Sequence, residues 1–388
     1  MTVRKRFKRL VRARAGATGE SYTTALAHFR RIAEEANMSQ PSDRFLGLED
    51  SEYEQMQSLA GLTPDAVTDA LRRIGSPSEV TACEQVRQSA YNFSYDIVLD
   101  GGPAALNVWY GEPAGAEAEL ALRQRLVSCG LPVQNVLIAG ADERLTVAGH
   151  PAVVLERLPG EEGPNYAPTK ATPSYIETAA AMARLVARIH VGAMGLEDLA
   201  YREAPWLTNL GSWKTELDMS RADARATTIL DEVDAAATRF LTFCDDEQLP
   251  VGVVHGCPGA WTVLVTPRWQ IAALLEFDSA HRDRFVFDIA HLISQWGQCA
   301  VSETRARFEP VLIRRILKEY SAVRPLSDAE REALVTAVPL RHCIDWLRIW
   351  NAVGNEQMVP FSWSEYLDGM KVELFEDAEW RELVMVAG

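Results

Sequence analysis

The sequence predicts an α+β protein of two lobes, a small one rich in strands followed by a large helical one, and three observations carry that prediction. Within residues 80–160 the runs VTACEQVRQSAYNFSYDIVLD and PAALNVWY carry strand-favouring Val, Ile, Tyr and Trp, with a turn signal between them. From about residue 174 apolar residues recur at helical spacing, as in ETAAAMARLVARIHVGAMGLEDL. A chain of 388 residues at 47% hydrophobic is long enough for two cores. The expected divisions are a basic arm and helical extension over 1–62, a small lobe over 76–158 and a helical lobe over 159–388.

The first fifteen residues hold Arg4, Lys5, Arg6, Lys8, Arg9, Arg12 and Arg14 and no acid, whereas the whole chain carries a formal charge of -15. The body is therefore strongly acidic and a poor nucleic-acid surface. Only the arm could contact nucleic acid or an acidic partner; the plainer reading is a solvated basic tail. Ser21 is a helix N-cap candidate, with Leu26, Phe29 and Ile32 on one face. Polar residues 40–50 suit a linker, and a short helix is expected over 51–60. Thr63 and Pro64 then provide the cap and first position of a helix that runs to Ile74 and stops at Gly75.

Strands follow in VTACEQVRQSAYNFSYDIVLD and PAALNVWY, joined at Asp100-Gly101-Gly102, then a helix in EAELALRQRLVSCGLPV closed by Gly130, then a hairpin about Gly149. The six cysteines, at 83, 129, 244, 257, 299 and 343, form no C-x-x-C, and the five other than Cys257 read as small buried or half-buried residues of a reduced compartment. No apolar run reaches 18 residues and the basic N-terminus lacks a following apolar core, so no membrane span is expected and the expected location is cytoplasmic.

Residues 251–290, VGVVHGCPGAWTVLVTPRWQIAALLEFDSAHRDRFVFDIA, hold two short apolar strands that each end in polar residues. This stretch resembles the catalytic and metal loops of the aminoglycoside phosphotransferase and homoserine/choline kinase family, with its H-G-D-x-H-x-x-N and I-D-F motifs. VVLERLPGE at 153–161 resembles that family's last strand and interlobe hinge, and the likeness runs from about 75 to 355. It implies a bilobal protein-kinase-like fold with a small β-rich N-lobe and a large helical C-lobe. By the same resemblance Glu156 and Arg157 would lie where an adenine is received, and His190, His255 and Asp288 would have supporting roles.

The reactive positions differ from the pattern. Cys257 stands at the family's catalytic Asp, Thr262 at its metal-binding Asn and Glu276 at its metal-binding Asp, with Asp278 two residues on and expected on the same side of the strand. The Lys that would meet the α/β phosphates falls on Asn107, and the carboxylate that would pair with it is Glu119, which without the Lys reads as solvated or paired with an Arg. Glu276 and Asp278 read either as weak metal ligands with Thr262 or as partners of Arg282 or Arg284. The turn at 87–96 has no glycine, and Trp261 is bulky where the family has Gly.

Phosphoryl transfer needs a phosphate cradle, a cation, an oxygen-liganded Mg²⁺ and a carboxylate facing the acceptor hydroxyl. A thiol near its reference pKa of about 8.5 is mostly neutral at pH 7 and cannot replace that carboxylate. The first expectation is accordingly a pseudokinase that binds a nucleotide, metabolite or peptide in the interlobe cleft or acts as a protein partner, with ATP and Mg²⁺ in doubt. The alternatives are an active small-molecule phosphotransferase with an atypical site, and a different enzyme using Cys257, which reads as an inert thiol, a redox site or a nucleophile. An acidic body suits a cationic ligand, which Trp206, Trp213, Trp346 and Trp350 could line if they are not core.

Overall fold

The computed structural model describes residue 59 and residues 61–88, 92–109, 113–138, 144–163, 168–201, 224–301, 306–354 and 372–386. The basic arm, all but Leu59 of the helix expected over 51–60, Trp206 and Trp213 lie outside these residues, as do the side chains of Trp346 and Trp350. Packing divides the chain into two compact units. One contains the residues up to Pro113 together with Val136–Arg157, and the other contains Ala114–Asn135 and the chain from Leu158 onward.

In the first unit, helix α1 (Pro64–Arg73) starts where Thr63 accepts a hydrogen bond from the Ala66 amide at 3.3 Å, with Pro64 supplying a preset first turn. Strands β1 (Val80–Gln88), β2 (Asn92–Leu99), β3 (Gly102–Trp109), β4 (Val136–Ile138), β5 (Thr146–Val147) and β6 (His150–Glu156) form one antiparallel sheet. Its order is β1-β2-β3-β6-β4, with β5 also on β6. Asp100 and Gly101 join β2 to β3 with φ of 51° and 80°, the paired positive angles that match the right-handed twist of a hairpin. Alternate side chains Phe93, Tyr95 and Ile97 turn inward to a core with Leu71, Leu106 and Val154.

The second unit holds helices α2 (Pro113–Ser128, from Ala114 on), α3 (Pro173–Gly192), α4 (Ala224–Asp246), α5 (Val286–Trp296), α6 (Pro310–Ser321), α7 (Asp328–Gly354) and α8 (Ala378–Val386). Three small sheets accompany them. β8 (Val251–Val254) pairs with β11 (His281–Arg284); β9 (Val263–Val265) lies between β10 (Ile271–Leu274) and β7 (Glu161–Glu162); and β12 (Gln298–Ala300) pairs with β13 (Ala306–Phe308). The segment after α2 is tied to β10, since Val133 bridges Leu274 and the Leu274 amide donates to the Pro132 carbonyl at 2.8 Å. That tie brings α2 to the loop structures described below.

Among the described residues no helix is long and apolar enough to cross a membrane. All six cysteines are free thiols; Cys244, Cys299 and Cys343 are buried and Cys83 and Cys257 half-buried. Cys129 is exposed, contrary to the expectation from the sequence, because it follows the last turn of α2 beside Gly130.

Candidate functional site

The loop after β8 is built on Asp288. This residue lies in the first turn of α5 and accepts hydrogen bonds from the backbone amides of His255 at 2.6 Å and Gly256 at 2.8 Å, and from His190 Nε2 at 3.0 Å. Burial opposes its charge, but the donors from His190 and His255 outweigh it and hold the carboxyl at about 2. Burial also pushes His190 below its usual value, so its neutral ring donates from Nε2 to Asp288 and accepts from the Tyr320 hydroxyl at Nδ1, 2.7 Å away.

His255 is committed in the same way. Its pKa is lowered by burial, Nε2 donates to the Leu275 carbonyl at 3.0 Å, and Nδ1 accepts from the Cys257 amide at 3.3 Å. Gly256 has a φ of +81°, and a Cβ there would meet the Ser279 carbonyl oxygen at 2.1 Å, so only glycine fits. These contacts place His190, His255 and Asp288 in supporting positions, as the sequence implied.

Cys257 follows directly. Burial pushes its thiol up to about 12, with Arg341 opposing the shift. The structure places His291 Nε2 of α5 at 3.9 Å from its Sγ. His291 is buried and held down at about 3, chiefly by that burial and then by the Arg341 charge, so thiol and imidazole face each other uncharged. Its Nδ1 has no hydrogen-bond partner among the described residues. The segment FDIAHLI does show His291 three residues after Asp288, but its pairing with Cys257 is a tertiary contact across 34 positions.

Thr262 is fully buried, and its hydroxyl donates to the Gly259 carbonyl at 2.8 Å. Trp261 folds back on the same loop: a Cβ on Gly259 would approach its ring to 2.7 Å, and the ring lies edge-on to His291 with centroids 6.1 Å apart.

The alternation expected for Glu276 and Asp278 does not occur. β10 ends at Leu274, Glu276 takes a left-handed backbone with φ and ψ of 60°, and Phe277–Ser279 is a single 3-10 turn, so the two acids are not successive positions on one strand face. Such a backbone is uncommon for a residue with a Cβ. Asp278 is buried and Glu276 half-buried. Arg284, one of the partners expected for them, is bonded to Asp245 and lies beside Asp283.

Of the two readings of Glu119, solvated or paired with an Arg, the structure takes the second. Glu119 sits in α2 at 2% exposure, and Arg123, one turn on and fully buried, donates to its Oε1 from Nε at 3.0 Å and from Nη2 at 2.8 Å. The Arg123 guanidinium carbon lies 5.0 Å from the centroid of Phe277. The i,i+4 spacing of Glu119 and Arg123 in ELALR is the sequence signal for this pair.

The remaining predicted residues belong to the other unit. Asn107 is buried on β3 between Ser94 and Val153, Glu156 closes β6 opposite Ala104, and Arg157 forms an ion pair with Asp96 at 2.9 Å. The set does not fit Mg²⁺ and ATP as the resemblance would hold them. The Lys position is neutral, the hydroxyl at the Asn position is fully buried and bonded to its own loop, and a protonated thiol replaces the acceptor-facing carboxylate.

Comparisons with known proteins bear on the family and the fold. A family profile described as "Phosphotransferase enzyme family" matches residues 84–326. A homoserine kinase of Gluconobacter oxydans is 28% identical over 221 residues, 55% of this chain, and the match spans 63% of that enzyme's length, less than two thirds. A homoserine kinase of Gluconacetobacter diazotrophicus is 24% identical over 286 residues, 69% of this chain and 83% of the enzyme. Among solved structures, a microcompartment-associated aminopropanol kinase aligns with a TM-score of 0.52 at 17% identity, covering 79% of this chain and 93% of that one. The GDP complex of an aminoglycoside 2'-phosphotransferase-IIIa mutant gives 0.52 at 12% identity, covering 79% and 96%. These likenesses establish a protein-kinase-like fold, and with the profile covering more than half its length the chain belongs to the phosphotransferase enzyme family.

Proposed function

We propose that this protein is a pseudokinase: a member of the phosphotransferase family that binds a nucleotide, metabolite or peptide, or serves a protein partner, without transferring a phosphoryl group. The observation that carries this reading is Cys257, a thiol pushed up to about 12 and set against a neutral His291 at the position where the family has its carboxylate. A neutral thiol cannot accept the acceptor's proton at pH 7, and losing such a base removes a contribution of roughly 10²–10⁴ in rate. Purified protein with ATP and Mg²⁺ is expected to give no product with homoserine, aminopropanol or an aminoglycoside, acceptors that the names of the relatives suggest. Product formation from any of them would overturn the reading.

The second reading is an active phosphotransferase. It is favoured by the carboxylates of Glu276 and Asp278, which remain at the turn after β10. It predicts Mg²⁺-dependent turnover that Glu276→Ala abolishes. An enzyme with Cys257 as nucleophile is opposed by the raised thiol pKa, and also by the loop amides: those of Gly256 and Cys257 already donate to Asp288 and His255 and are not available to an oxyanion.

A further inference from the structure

Arg123 is fully buried in α2, yet its guanidinium is only partly used. Nε and Nη2 both donate to one oxygen of Glu119, whereas Nη1 is buried and has no acceptor among the described residues. The group lies over Phe277, the residue between Glu276 and Asp278, and its charge is felt at His255. Buried donors of folded proteins almost always have a partner, and a charged donor left without one calls for an explanation, such as a water or an ion. A planar guanidinium fork matches the oxygens of phosphate and carboxylate, and with one edge on Glu119 the Nη1 side is the part still open to such a group.

The geometry points to Arg123 Nη1 as the donor that holds a phosphate-type oxyanion in this unit, without a divalent cation. The inference rests on reading the chain as a binding member of its family, and it names the ligand chemistry that the reading left open. A metal-free mode follows from the loop: Thr262 is fully buried and bonds the Gly259 carbonyl, whereas the guanidinium brings a positive charge of its own. Because Arg123 has no exposed surface, the anion enters through local opening of the packing around it.

The test is thermal unfolding of the full chain in EDTA with inorganic pyrophosphate, with ATP, and with acetate as the carboxylate control. Pyrophosphate or ATP is expected to raise the melting temperature by a few degrees at saturation, and acetate is not. Replacing both members of the pair, Glu119→Gln with Arg123→Met, leaves no buried charge alone and is expected to abolish the shift. Should that double variant fail to fold, Arg123→Lys keeps the charge and loses the fork, and is expected to weaken binding about tenfold, the worth of one charge-assisted hydrogen bond. No shift with either phosphate compound, equal shifts with acetate, or a shift unchanged in the variants overturns the proposal and leaves Nη1 to a buried water. Turnover with Mg²⁺ is read separately: its presence overturns the pseudokinase reading while the Arg123 dependence stands or falls in EDTA.

Discussion

His255 and Gly256 share one loop with Cys257 and Thr262, yet the two pairs have diverged in kind. The first pair keeps a full set of supporting bonds: two amides on Asp288, that carboxylate on His190, and His190 on Tyr320. In the second pair, a thiol faces a neutral imidazole and a hydroxyl is bonded back to its own loop. Support for the loop is a requirement of folding, because buried amides and a buried carboxylate must satisfy each other whatever the loop does. Chemistry is a requirement of function alone. On the proposed reading only the first is kept here, and the fold persists with an altered site.

Breaking the supporting half gives the largest expected effect. Asp288→Ala leaves two backbone donors and His190 without their acceptor, and is expected to cost about 3–5 kcal/mol, read as a lower urea midpoint. A loss below 1 kcal/mol would remove the basis for the contrast. Acid should act on the same half. His190, His255 and His291 all have folded pKa values lowered by burial, so below about 6.5 the unfolded chain takes up protons that the folded chain does not. Stability should therefore fall as pH drops from 6.5, by about 1.4 kcal/mol per unit for each histidine that stays neutral. Asp288 works in a lower window: its depressed carboxyl stabilises above about 3.8, and that contribution is lost as pH falls toward 2. A flat denaturation profile between pH 7 and 5 would contradict the burial of these rings.

Gly256→Ala comes next. It forces a Cβ toward the Ser279 carbonyl at a left-handed backbone, with an expected loss of about 2–3 kcal/mol by calorimetry. Smallest is Cys257→Ala, expected to cost less than about 1.5 kcal/mol, since its thiol makes one long contact and no ion pair. A thiol reagent at neutral pH should label the exposed Cys129 well before Cys257, and the reverse order, found by peptide mapping, would restore Cys257 as a reactive group.

The parts of the molecule legible in the sequence are those set by local chemistry. Thr63-Pro64 announced the start of α1, Asp100-Gly101 the β2–β3 turn and Gly149 the β5–β6 turn, because each uses a backbone preference of the residue itself. The supporting positions of His255 and Asp288, 33 residues apart, were legible through the family resemblance and not through any local preference. What was missed depends on tertiary neighbours. His291 reaches Cys257 only through the packing of α5 on the loop, and the left-handed step at Glu276 ends a strand that the apolar run ALLEF suggests should continue. Glu119 was read as solvated or paired with an Arg, and the fold takes the second alternative, with Arg123 one helical turn on.

The most direct test of the central claim is phosphoryl transfer from ATP in the presence of Mg²⁺, followed in the wild-type protein and in Glu276→Ala with homoserine, aminopropanol and aminoglycoside acceptors. The account predicts that both proteins give the same background, because the loop holds a neutral thiol where transfer needs a carboxylate. Wild-type turnover that is lost in Glu276→Ala would contradict it and show that the acids after β10 carry a working site.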